Sequence, residues 1–151
     1  MRVEELAFVC EEAARDLLAR EERPLPPAIV LPDPQATRVV TLPDFPDEDQ
    51  ARAAVLHAFA EAEILERSQP AYGFVAEAEV DGDDVIVVVY GAHGTPAQVT
   101  AAPISEAGLG DFVDPGPLDP AALPFLHPLQ EAVERVTAPP EPPGIPGFGT
   151  N

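Results

Sequence analysis

The six residues Val85-Ile86-Val87-Val88-Val89-Tyr90 are apolar at every position and rich in β-branched side chains. A strand of this kind leaves no polar face for water, so it belongs in the middle of a sheet with cover on both sides. Its neighbours in sequence are legible from the same chemistry. Upstream, Tyr72, Phe74, Ala76, Ala78 and Val80 alternate with Gly73, Val75, Glu77 and Glu79, the two-residue period of a strand with one buried face. Asp81-Gly82 joins the two runs and suits a tight hairpin, because both residues tolerate positive φ. Downstream, Gly91-Ala92-His93-Gly94-Thr95-Pro96 predicts a second turn and Ala97 to Ile104 a third strand, completing a meander.

Ahead of the meander, Val3, Leu6, Cys10, Ala13 and Leu17 recur at helical spacing, widened by Phe8, Ala14 and Leu18, and predict an amphipathic helix from Val3 to Arg20. Pro24, Pro26 and Pro27 end it. Ala28 to Leu31 and Thr37 to Leu42 predict a hairpin across Pro32-Asp33-Pro34-Gln35-Ala36. Asp47, three residues before Gln50, has capping-box spacing and opens a second helix to Arg67, with Ala51, Val55, Ala58, Ala62 and Leu65 as its stripe beside Leu56 and Phe59. Ser105 to Pro120 predicts loop, since glycines and prolines break any period. The prolines at 120, 124 and 128 confine the last helix to a short piece from Pro128, with Leu129, Ala132, Val133 and Val136 inward.

The expected order is αββαβββα. It specifies an α+β fold with a mixed, mainly antiparallel five-stranded sheet and about three packed helices. Residues 1–136 make one domain. Residues 137–151 hold five prolines and three glycines and are expected to be a disordered tail.

Eight basic residues face 27 acidic ones, a formal charge of -19. Such a chain repels phosphate backbones, which argues against nucleic acid as a partner. All eight are arginine, as in the product of a GC-rich genome. Cys10 is the single cysteine, so no internal disulfide can form, and its place on the helical stripe predicts a buried, inert thiol. The acidic N-terminus has no signal-peptide pattern, and no apolar run is long enough to span a bilayer. A cytoplasmic location and no membrane association are expected.

Glu77-x-Glu79-x-Asp81-Gly82 matches the first half of a calcium-binding loop. The match fails where a bidentate acid is required, at Val88, and the flanking segments are strands. Glu77 and Glu79 instead share the solvent face of a strand, with Asp81, Asp83 and Asp84 at the turn; a plain solvated face is the first reading, and the five are also the candidates for contacting a partner. His57, His93 and His127 lack the spacing of a metal site, so none is expected. His57 and Glu61 predict a surface pair. His93 follows the central strand, a frequent location for functional groups, and is the candidate catalytic residue. Nucleophile-elbow, dinucleotide and Walker motifs are absent, and no cofactor is expected.

The run Tyr72-Gly73-Phe74-Val75-Ala76-Glu77-Ala78, an acidic turn, then Val85 to Tyr90 resembles a group of small uncharacterised bacterial and phage proteins. These place a V-x-E-A strand before a strongly apolar one, behind a helix, hairpin and helix. The resemblance extends over residues 3–104 in layout and implies the same α+β arrangement. Two function classes follow from the sequence: a non-enzymatic binding or accessory protein with a basic protein partner, or a small enzyme with a pocket near His93.

Overall fold

The computed structural model describes residues 2–32, 36–119 and 121–136. The expected tail and part of the first hairpin turn lie outside them. Helix α1 spans Val3–Arg20, followed by β1 (Ala28–Leu31) and β2 (Arg38–Thr41). Helix α2 (Asp49–Phe59) continues as a π-helical segment, Ala60–Leu65. Then come β3 (Ala71–Val80), β4 (Asp83–Ala92), β5 (Thr95–Ser105), and two-residue strands β6 (Gly108–Leu109) and β7 (Gly116–Pro117). A 3-10 turn, Pro124–Leu126, leads into α3 (His127–Arg135).

The fold is α+β. The sheet runs β2-β1-β3-β4-β5-β6, with β7 also paired to β5. Among the described residues this corrects the expected five strands to seven. The two additional strands come from the segment predicted as loop, which is laid along the outer edge of β5. There Gly110, Val113 and Leu118 donate their N–H groups to the carbonyls of Pro103, Ala101 and Ala97. An edge strand presents unpaired backbone groups, and a Gly/Pro-rich segment can satisfy them without a periodic pattern. The expected mixed pairing is also corrected, because every pair among the described residues is antiparallel. Strands β2 and β3, joined through α2, run in the same direction but are separated by β1.

β4 lies between β3 and β5 over almost its whole length, as its two apolar faces require. Ile86, Val88 and Tyr90 face α1, with Leu6, Cys10, Ala14 and Leu17. Val89 faces the other way, into a cluster with Tyr72, Phe74, Leu56, Ile64, Leu126, Leu129 and Val133. The sheet therefore divides two cores, α1 on one side and α2 with α3 on the other.

The same division corrects the single buried face expected for β3. Tyr72 and Phe74 enter the α2/α3 core, while Ala71 and Val75 enter the α1 core. Gly73, opposite Tyr90 and Val30, is where α1 comes closest: a Cβ there would sit under 3.0 Å from Cys10 Sγ. Asp81 and Gly82 both have positive φ, 53° and 85°, as the two-residue turn between Val80 and Asp83 demands.

α2 departs from its expected stripe. Its N-cap is Glu48 without a side-chain cap, so the Asp47/Gln50 capping box does not form. Leu56, Ala60 and Ile64 are buried, whereas Val55 is 38% exposed. Both flanks of this helix are apolar, and the one carrying Leu56 and Ile64 removes more area from water than alanines do. Phe45, Phe74 and Phe125 close the core with ring centroids 5.8 to 6.2 Å apart, beneath the Arg52 guanidinium.

Candidate functional site

The structure divides the five hairpin acids. Glu77 is the innermost, its side chain only 13% exposed, and it receives two arms of Arg23 along with the backbone N–H of Leu25. Asp84 accepts the same guanidinium at 2.9 Å. The pair clamps the segment after α1 onto β3 and β4. The Arg23 hydrogen bond, with that from Leu25, holds the Glu77 carboxyl below the usual carboxylate range despite its partial burial. Glu79, Asp81 and Asp83 remain at the hairpin end, all three exposed to solvent. Strand alternation alone put Glu77 and Glu79 on one wet face. Arg23, 54 positions away, decides otherwise for Glu77.

His93 occupies the β4–β5 turn, where its N–H donates to Pro70 O and its Nδ1 lies 3.1 Å from Val133 O. The imidazole thus fastens the C-terminal end of α3 to the turn. His57 and His127 each stand 3.9 Å from a glutamate one helical turn on, Glu61 and Glu131, at the surface.

A cleft of about 650 Å³ lies close to His93, between the outer part of β5 and α3, and is lined by other residues. Pro96 and Ala97 form one wall, Pro117 and Leu118 the next, and Leu123, Pro124 and Leu126 the third. His127, Gln130 and Glu134 complete it from one face of α3, three and then four residues apart, with Tyr72 at the base. Proline has no backbone N–H, so Pro96, Pro117 and Pro124 give these walls apolar side chains and remove three backbone donors from them. Gly91 makes the base possible: a Cβ there would lie 2.9 Å from Tyr72 Cε1 and would collide with the Gln130 amide.

Polar groups gather at one end of the cleft. Tyr72 Oη donates to Gln130 Oε1 at 3.0 Å, and Gln130 Nε2 donates to Thr95 O at 3.2 Å and to Glu134 Oε2 at 2.9 Å. Gly94 N–H donates to Glu134 Oε1 at 3.0 Å. Burial raises the Tyr72 pKa, with the Glu134 charge adding to it, so the phenol stays protonated and remains a donor. The Tyr72 hydroxyl is thus committed to an amide oxygen instead of a base. Cys10, buried beneath Gly73, is pushed up to about 12 by burial and by Glu11 and is inert as a thiolate source.

A pocket near His93 was expected for the enzyme class, but none of the residues that line this cleft stood out as a site residue in the sequence. Its one local signal is the density of prolines between residues 115 and 128, while Tyr72 and Gln130 are 58 positions apart. Among the described residues no group of three or more His, Cys, Asp or Glu is placed to hold a metal, and no helix is long and apolar enough to cross a membrane. No family model, curated protein or solved structure matches the chain.

Proposed function

We propose that the protein is a non-enzymatic binding or accessory protein that captures a basic protein partner. The observation that supports this most is where the positive charge goes. Arg2, Arg20, Arg23, Arg38, Arg52 and Arg67 each lie within 4.0 Å of a carboxylate of the same chain. Arg15 donates to the carbonyls of Leu109 and Gly110 and lies over the Phe112 ring. With 27 acids against eight arginines the acids are in large excess, most carboxylates of the described residues lie in no such pair, and the field outside the molecule is negative. A field of one sign accelerates encounter with the opposite sign and is screened beyond about 8 Å at physiological ionic strength. Glu79, Asp81 and Asp83, at the end of the β3–β4 hairpin and outside the Arg23 clamp, are the contact residues of this reading.

The test is capture from the native host at low and high salt, wild type against the E79Q/D81N/D83N variant, followed by association rates for each captured protein. Proteins of net positive charge should be retained at low salt, with rates that fall steeply as salt rises and fall again in the variant. Identical capture by the two proteins, or no capture, would overturn the reading.

A further inference from the structure

The apolar cleft is unrelated to the hairpin acids, and its polar end has a definite chemical sense. Every donor there is engaged: the Tyr72 hydroxyl on Gln130, the Gln130 amide on Thr95 O and Glu134, and the Gly94 N–H on Glu134. What remains is acceptor capacity on a carboxylate. Two N–H groups fix its position, and no arginine lies within ion-pairing distance of it among the described residues. The carboxyl end of α3 adds negative potential at the same corner, since Glu134 is the penultimate residue of that helix. At this corner, seven residues along α3 from the His127 ring that also lines the cleft, a ligand carbonyl or anion would meet acceptors instead of free side-chain donors. A cation with N–H groups would find a held, charged acceptor.

The body of the ligand follows from the walls. Ala97, Leu118, Leu123 and Leu126 present hydrocarbon only, and a volume of about 650 Å³ is that of ordinary small-molecule sites, roughly 300–1,000 Å³. We propose that this cleft binds a small amphiphilic cation, an apolar or aromatic body carrying one ammonium or guanidinium group, with the cation seated on Glu134. The site is independent of the proposed protein partner and stands or falls separately.

The experiment uses the full chain and three fluorescent probes: a dansyl group on a pentylamine tether, the same molecule N-acetylated and so neutral, and the anion 8-anilinonaphthalene-1-sulfonate. The amine should bind about tenfold or more tighter than its acetylated form, the range expected for a hydrogen bond to a charged group. The sulfonate should bind least. Glu134→Gln should remove the preference for the amine and leave the acetylated probe unchanged, whereas Glu131→Gln, an equal charge change one turn away outside the cleft wall, should leave the preference intact. Ala97→Trp, with its melt checked to confirm folding, should block both dansyl probes. Equal effects of the two glutamate variants would show that only net charge attracts the amine, and would overturn the proposal. So would equal binding of the amine and its acetylated form, or no binding by either.

Discussion

Replacing Gly73 by alanine probes the close approach of α1 to β3. The added Cβ would stand 3.4 Å from Cys10 Cβ, an ordinary contact, and 3.3 Å from Val30 Cβ, close enough that Val30 must give slightly, but under 3.0 Å from Cys10 Sγ, which neither can accommodate unmoved. Cys10 is fully buried, and α1 is held by Leu6, Ala14 and Leu17 on either side, so the sulfur cannot retreat without moving the helix. Overpacking of this kind costs about 1–3 kcal/mol, offset by about 0.4–1 kcal/mol because alanine stiffens the unfolded chain. A net loss of about 1–2 kcal/mol is expected. Cys10→Ala alone should cost about 1 kcal/mol through the small void it leaves. In the double variant the new methyl fills that void, so the loss should be about 1–2 kcal/mol smaller than the sum of the singles, well beyond the ~0.5 kcal/mol scatter of independent sites. Urea unfolding followed by far-UV circular dichroism, with equal m-values across the four proteins, measures the cycle. Additivity within about 0.5 kcal/mol, or a Gly73→Ala protein as stable as wild type, would refute the packing of α1 against β3 through this contact.

Val89→Asp places a carboxylate between Phe74 and Val99 at a fully buried position, so it should cost about 3–5 kcal/mol and abolish a cooperative thermal transition; an unchanged melt would place β4 at an edge. The Glu77 carboxyl is held below its unfolded value, so its stabilisation is complete above the ordinary carboxylate range near pH 4.3 and is lost as pH falls through the lower folded value. Glu77→Gln should therefore lower stability at pH 7 and flatten the acid limb of a pH series, whereas parallel curves would assign the acid sensitivity to other carboxylates. Gly82→Ala meets no atom within 4 Å but must hold φ near +85°, so it should lose about 1 kcal/mol in thermal melts through the backbone alone. Cys10, with its pKa pushed up to about 12, should react with a disulfide reagent at pH 8 only at the rate of unfolding, and prompt reaction in the native state would contradict its burial.

The limits of α1, the Asp81-Gly82 turn, the central place of β4 and the inward face of α3 were readable from sequence, because each depends on chemistry local to a few residues. A helical stripe, a pair of positive φ angles and a run with no polar face allow few alternatives wherever they occur. The side of α2 that is buried, the clamp of Glu77 by Arg23, the strands β6 and β7 and the cleft itself were decided only by tertiary structure. In α2 both flanks are apolar, so the choice falls to whichever core offers the larger area to cover. Glu77 and Glu79 are equivalent by periodicity and become different only when Arg23 arrives from the far end of α1. The segment from Ser105 to Pro117 has no period of its own and takes its shape from the unpaired edge of β5. The cleft needs Tyr72, Ala97, Leu118 and Gln130 together, and nothing in their spacing brings them there: long-range pairing of β3, β4 and β5 sets their distances, with Gly91 leaving the room they share.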